Sequence, residues 1–311
     1  MKNPRVYGPV PSRRFGLSLG VDVVPFKVCC YDCVYCQLGP TTDLTIERRD
    51  FFPRQEILAD VKKALEHGPA PDVITLAGSG EPTLYASLGD LISSLREISA
   101  VPILVLTNGG LFFKQDVAED VLAADMIAPS LDAGDPETFR RINRPHEAID
   151  FEEMVSGLAD VVGRYDGQVR LEVMLVEGVN DSSGSIQALA ECIRRIGPEG
   201  VDINLPVRPV PKGEIHASNE RMLREALDAF GPTAKVVAEY SNTDNRGTLD
   251  DESGERILQM LARRPCTIED LHASLGLQRN EIIKVVDAAM STGKVNKRSG
   301  EAGDYFYLAR S

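Results

Sequence analysis

Four of the six cysteines in this 311-residue chain lie in one short run, Cys29-Cys30-Tyr31-Asp32-Cys33-Val34-Tyr35-Cys36. Three of them, Cys29, Cys33 and Cys36, form a C-x3-C-x2-C triplet. Thiolates are soft ligands that select iron–sulfur clusters, zinc or copper(I), and such spacings let one loop wrap several sulfurs around one centre. Three ligands leave one coordination position open, whereas a closed structural zinc site carries four. An open position can accept a substrate or cofactor. A zinc site with a remote fourth ligand and a disulfide are the other readings of the spacing, but His67, His146, His216 and His272 are scattered without paired spacing. Cys30 adjoins Cys29 and would break the spacing, so it reads as a bystander. Cys192, on an apolar helical stripe, and Cys266, just before a helix start, read as small core residues.

The triplet, with aromatic Tyr35 before its last cysteine, resembles the cluster loop of the radical S-adenosylmethionine (SAM) superfamily. The resemblance implies one [4Fe–4S] cluster on Cys29, Cys33 and Cys36, with SAM chelating the fourth iron and Tyr35 beside it. Later motifs agree. Ala77-Gly78-Ser79-Gly80-Glu81-Pro82 follows an apolar run; its glycines permit close backbone approach to a ligand and Glu81 offers a carboxylate suited to an ammonium group. It is similar to the family's glycine-glycine-glutamate motif, which binds the methionyl amine, although Gly78-Ser79-Gly80-Glu81 fits only approximately. A tight strand-to-helix turn with a solvated acid is the alternative. Asn108, in Thr107-Asn108-Gly109, is also ordinary turn chemistry. Ser130 and Asp132 share one parity, and the resemblance assigns them to the SAM ribose.

Short apolar runs alternate with amphipathic stretches. Strands are expected at 73–76, 103–106, 126–128, 169–176, 201–205 and 234–237, and helices at 55–66, 88–98, 117–123, 153–162, 185–196 and 220–230. Asp135-Pro136 and Asp150 with Glu153 mark helix starts. This alternation predicts an α/β fold, a partial (β/α)6 TIM-like barrel with its active face at the strand C-terminal ends. Further candidates are Arg170 and Glu172, which must be paired if their side faces the barrel interior, then Asn180, Asp181, Asn204 and Arg208. The proline-rich stretch 8–16 places Arg13 and Arg14 at the substrate entrance.

The polar stretch 241–251 reads as a linker between a core at 1–240 and a unit at 252–311 whose helix, helix, turn, helix and hairpin pattern resembles a winged helix. Counting from Glu252, nine Lys/Arg and eight Asp/Glu give +1, so a chain of −13 overall carries −14 elsewhere. That balance disfavours nonspecific nucleic-acid or anionic-membrane binding by the body as a whole. Arg279, Asn280, Lys284, Lys294, Lys297 and Arg298 are positioned to meet phosphates or, equally, a protein or peptide. A structural cap is the third possibility. With no charged-then-apolar leader and no bilayer-length apolar run, a cytoplasmic enzyme with no membrane partner is expected.

The resemblance then implies reductive cleavage of SAM, with an electron from a flavodoxin- or ferredoxin-like donor, and hydrogen abstraction from a macromolecular substrate, RNA or peptide. A glycyl-radical-type activase of a partner enzyme and a cluster-based winged-helix regulator are the alternatives. Cys33 to Gly39 and Ser130-Leu131-Asp132 look most similar to uncharacterised radical SAM proteins akin to the tRNA wyosine-base synthases. This chain departs from those synthases in having no additional cysteines before Cys29, so one cluster is the consistent count.

Overall fold

Alternation of short buried strands with one-sided helices builds an eight-stranded curved sheet, beside which two two-stranded sheets stand among the described residues. The computed structural model describes residues 5–12, 14–206, 209–210, 214–237, 251–300 and 303–309, with residues 11, 251–253 and 280 by backbone alone. Arg13, Arg208 and residues 241–250 of the expected linker lie outside the described residues, as does the side chain of Asn280.

The first half runs β1 (Val6–Ser12), β2 (Gly16–Val21), β3 (Val28–Cys29), β4 (Asp43–Leu44), α1 (Arg54–His67), β5 (Val73–Leu76), α2 (Leu88–Ile98), β6 (Ile103–Thr107), α3 (Gln115–Val121) and β7 (Met126–Pro129). It continues through α4 (Pro136–Ile142), α5 (Phe151–Arg164), β8 (Gln168–Met174), α6 (Ser183–Ile196), β9 (Gly200–Asn204), α7 (Glu220–Phe230) and β10 (Ala234–Val236). The C-terminal part is α8 (Asp251–Arg263), α9 (Ile268–Leu275), α10 (Arg279–Ser291), β11 (Val295–Gly300) and β12 (Gly303–Leu308).

The sheet order is β1-β2-β5-β6-β7-β8-β9-β10. Every neighbouring pair from β2 onward is parallel, and only β1 runs antiparallel, against β2. Parallel strands joined through helices require crossovers, whose shared hand curls the sheet into an open barrel. The six expected strands are all present, but the barrel's first parallel strand, β2, and its partner β1 were not foreseen. Prolines and glycines hide them: β1 reads Val-Tyr-Gly-Pro-Val-Pro-Ser, a composition tolerated at a sheet edge.

Helix ends follow local chemistry. Asp135 caps α4 by accepting from Thr138 N, and Asp150 caps α5 by accepting from Glu152 N and Glu153 N. Leu91, Ile92 and Leu95 of α2 are fully buried against the outer face of the sheet, each contributing roughly 1.5–3 kcal/mol. Inside the barrel Val73, Leu104 and Ala128 form a small separate cluster, packed by Phe15 from the β1–β2 turn. Arg14 enters from the same end and pairs with Glu172, with Asp202 at 3.6 Å. The turn therefore plugs the N-terminal end of the barrel, a different place from the entrance expected of Arg14.

Helices α8 to α10 and the β11–β12 hairpin share their own core, including Ile257, Leu261, Leu271, Ile282, Val286 and Phe306, with Val10 of β1 packed against it. The Thr267–Asp270 capping box expected at the start of α9 is present. No helix among the described residues is long and apolar enough to cross a membrane.

Candidate active site

The cysteine loop leaves β3 at the C-terminal end of the barrel, and each cysteine of the triplet meets a nitrogen donor from a different element. Asn108, just past β6, points its Nδ2 at Cys29 Sγ at 3.6 Å. Asn143, at the end of α4, points its Nδ2 at Cys33 Sγ at 3.5 Å. Lys27 Nζ lies 3.1 Å from Cys36 Sγ. The Tyr31 backbone N–H adds a second donor to Cys29 Sγ at 3.4 Å. Cys30 is fully buried, donates its thiol to Asn108 Oδ1 at 3.3 Å and lies 3.2 Å from the same Asn108 Nδ2, so Asn108 is shared between Cys29 and Cys30.

The loop is braced by one carboxylate. Asp132 is 2% exposed; its Oδ1 accepts from Met174 N at 2.8 Å and its Oδ2 from Asn143 Nδ2 at 2.7 Å. The Tyr35 hydroxyl also donates to Oδ2. Asn180 locks the same corner by donating to Asp132 O and Met174 O and accepting from Val176 N. Burial raises the Asp132 pKa, opposed by these hydrogen bonds, and burial beside Asp132 drives the Tyr35 phenol well above its usual value. Ser130 is half-buried while Asp132 is turned inward, so the two share a strand end but differ in what they present.

Glu81 is also committed. Its carboxylate accepts from Thr83 N, Thr83 Oγ1, Thr107 Oγ1 and Asn108 N. It ties β5 to β6 and sets Asn108 against the cysteines; burial raises its pKa, with the Asn108 N–H hydrogen bond leading the opposing effects. The glycines of 78–80 are required by the protein itself. Gly78 has φ +129°, and a Cβ there would lie 1.5 Å from Asp22 Oδ1; a Cβ on Gly80 would lie 2.0 Å from Val28 O. Within the protein itself the close approach is to Asp22, just past β2, and to the start of the cysteine loop. Ser79 donates both N–H and hydroxyl to Asp22 at 3.1 Å.

Asp22 connects this turn to the C-terminal unit. Arg263 at the end of α8 reaches Asp22 Oδ2 at 3.5 Å and stacks over the Tyr7 ring at 3.7 Å. Burial pushes the Asp22 pKa up, and Arg263 pulls it back. Without Arg263 the charged form is disfavoured further, so Arg263→Ala lowers stability by about 3 kcal/mol. A raised folded pKa withdraws stability as pH rises and returns it as the carboxyl protonates. The deficit of the variant is therefore expected to shrink from pH 8 to pH 5 in denaturant titrations; a deficit independent of pH would contradict this.

Arg170 and Glu172 do face the interior and are paired, Arg170 with Asp202 at 2.6 Å and Glu172 with Arg14. Asn204 donates to Glu172 at 3.2 Å. In the C-terminal unit, Arg279 is held by Glu269 at 2.5 Å and Lys297 by Asp304 at 2.8 Å, leaving Lys284 and Lys294 as exposed cations. Lys27, Asn143 and Asp22 were not singled out by sequence; no local signal marks them, since Asn143 lies 110 residues from Cys33.

The donor set fits an iron–sulfur cluster with SAM. Three thiols on one loop each face an N–H donor, the arrangement that hydrogen-bonds cluster sulfurs and tunes them. Among the described residues no three His, Cys, Asp or Glu side chains converge as for one ion; a cluster takes each sulfur on a different iron and needs them spread wider. The Tyr31 hydroxyl is buried without a hydrogen-bond partner among the described residues, a polar atom left for a bound group.

Residues 23–189 match the radical SAM superfamily, and the chain belongs to that superfamily of iron–sulfur, SAM-dependent enzymes. Within it the chain belongs with the UPF0026 proteins: it is 34% identical over 271 residues to the one from Helicobacter pylori J99, covering 86% of each chain. It is also similar to a protein of Brachyspira hyodysenteriae named GTPase Obg, 33% identical over 299 residues, 96% of this chain but only 44% of that protein. Among solved structures it resembles a radical SAM methyltransferase from Sphaerobacter thermophilus, with TM-score 0.56, 24% identity and coverage of 70% of this chain and 65% of that one. A structure of TYW1 with a lysine-pyruvate adduct is 16% identical at TM-score 0.47, covering 94% of this chain and 79% of that one. The family's cofactors are a [4Fe–4S] cluster and SAM.

Lys27→Met removes the cation beside Cys36 and is expected to lower the midpoint potential of the cluster by roughly 60 mV, about a tenfold change in a one-electron equilibrium. An EPR-monitored redox titration reads this directly. An unchanged potential would mean that Lys27 only packs.

Proposed function

We propose that the protein reductively cleaves SAM and uses the resulting chemistry to abstract hydrogen from a macromolecular substrate, RNA or peptide. The observation that supports this reading is that Cys29, Cys33 and Cys36 each face a nitrogen donor at the C-terminal end of the barrel, Asn108 being shared between Cys29 and Cys30. When bound, the cluster and SAM supply one electron, methionine as leaving group and a 5′-deoxyadenosyl radical that takes a hydrogen atom from substrate carbon.

The remaining tasks fall to the chain. Cys29, Cys33 and Cys36 hold the cluster, with Lys27, Asn108 and Asn143 stabilising charge on the sulfurs. The 78–81 turn and Asn108 shape the methionyl side of the SAM site, where Gly78, Ser79, Gly80 and Glu81 act chiefly through backbone and positioning. Ser130 would contact the ribose, and Asp132 with Tyr35 holds the cysteine loop in place. Phe15 and Arg14 close the opposite end against water, which keeps a reactive intermediate from side reactions. The C-terminal unit, read as a winged helix, delivers the substrate, and a flavodoxin- or ferredoxin-like protein in the cytoplasm delivers the electron.

The test of substrate class is deoxyadenosine release by the loaded enzyme under reducing conditions, with and without total RNA or a protein digest from the host. One of the two is expected to raise release several-fold. Equal release with neither stimulating would count against a macromolecular substrate.

A further inference from the structure

A pocket of about 330 Å³ lies between the tail of the cysteine loop, residues 37–40, and the C-terminal unit. Its size suits a nucleotide-sized or drug-sized body. Three arginines line it, Arg263, Arg264 and Arg298, together with Asn296 and Gln37, and no aspartate or glutamate is among its described lining residues. That is unexpected in a chain with 47 acidic and 34 basic residues. The other walls are mainly apolar and aromatic, with Leu261 and Tyr307 among them.

The three guanidiniums differ in what they already hold. Arg263 is paired with Asp22, and Arg298 donates to Val210 O at 2.5 Å, which fixes the hairpin against the barrel. Arg264 is half-buried, and no described hydrogen bond or ion pair engages its side chain. Apart from Asp22 behind Arg263, positive charge gathers here in a concave, partly apolar site with no acid among its described lining residues, which makes it a site for an anion. A carboxylate offers two oxygens and is satisfied by one guanidinium; Arg264 with the Asn296 and Gln37 amides provides donors for the three oxygens of a phosphate monoester, while the engaged Arg263 and Arg298 add positive charge.

We propose that this pocket binds a phosphate ester carried on a ring-bearing body, with Arg264 as its principal phosphate contact and Tyr307 and Leu261 against the ring. The proposal rests on reading the adjacent cysteine loop as the reaction centre and deepens it, because residue 37 directly follows Cys36. The phosphate held here would belong to the substrate, and the C-terminal unit would be a fixed wall of the site through the Arg263–Asp22 contact.

The test uses the cluster-loaded full chain, anaerobically and without SAM or reductant, titrated calorimetrically with phenyl phosphate, benzoate and phenol. Phenyl phosphate is expected to bind, benzoate about tenfold more weakly, and Arg264→Gln to weaken phenyl phosphate about tenfold, as loss of a charge-assisted contact predicts. No binding of phenyl phosphate, equal binding of benzoate, or wild-type affinity in Arg264→Gln would overturn the proposal. Because no SAM is present, a failure to cleave SAM would fall on the proposed function alone and a failure of these titrations on the pocket alone.

Discussion

Gly80→Ala is expected to yield a chain that cannot retain its cluster. A Cβ at this position would sit 2.0 Å from the carbonyl oxygen of Val28 and 2.8 Å from Val24 Cγ2. The first is backbone, one residue before Cys29, and has no rotamer to yield. Either the 78–81 turn lifts from β5 or the start of the cysteine loop is displaced, and the Glu81 N–H bond to Val28 O at 3.0 Å is strained in both cases. Overpacking of this kind costs about 1–3 kcal/mol, and a backbone neighbour puts it at the upper end. Iron and sulfide content after anaerobic reconstitution should fall to a small fraction of wild type. Gly184→Ala is the control: it lies in α6, its Cβ would meet only Ser182 Oγ at 4.0 Å, and it is expected to be neutral or stabilising by up to ~1 kcal/mol. Full iron loading of the Gly80 variant would contradict this account of the turn.

Asp132→Ala has the second large effect. It leaves the Tyr35 hydroxyl, the Asn143 amide and Met174 N without their acceptor. Each buried donor left unpaired costs about 1–3 kcal/mol, and partial relaxation of Tyr35 and Asn143 brings the expected total to about 3–5 kcal/mol in denaturant titrations. Asp132→Asn keeps the shape and one acceptor but turns an N–H toward two donors, so an intermediate loss is expected. Because Asn143 also faces Cys33, both variants should change the EPR spectrum of the reduced cluster as well as stability. A loss under 1 kcal/mol with an unchanged spectrum would mean that Asp132 does not brace the loop.

Chemistry carried by neighbours in sequence was legible from sequence; chemistry carried by neighbours in space was not. The cysteine triplet falls within eight consecutive residues and its residue type is rare, so its reading needs no fold. Helices α2 and α7 appear at their expected bounds because apolar spacing and flanking glycine or serine mark them locally. The edge hairpin β1–β2 was missed because its prolines and glycines imitate a loop. Glu81 and Asp132 were found as acids at strand ends, but burial decides their use: each carboxylate is consumed by three or more protein donors. Lys27 and Asn143 are common residue types with no pattern around them, and only the turn of the loop and the end of α4 bring them to sulfur. The expected groove-facing basic set was thinned for the same reason, since Glu269 and Asp304 neutralise Arg279 and Lys297.

The C-terminal unit bears on how substrate specificity is built. A recognition module on a tether would leave the barrel's chemistry indifferent to it. Here Arg263 touches Asp22, and Asp22 holds Ser79 in the turn proposed above to shape the SAM site. On the proposed function, binding at the C-terminal unit and order at the 78–81 turn would be mechanically adjacent, a route by which substrate favours a reaction-ready turn.

The central claim is that Cys29, Cys33 and Cys36 hold the cluster at which SAM is cleaved. Its most direct test is anaerobic reconstitution with iron and sulfide, reduction with dithionite in the presence of SAM, and chromatographic measurement of 5′-deoxyadenosine from wild type and Cys33→Ala. The account predicts deoxyadenosine from wild type and none above background from the variant. A loaded wild-type cluster that releases none, or a variant that releases as much as wild type, would contradict it.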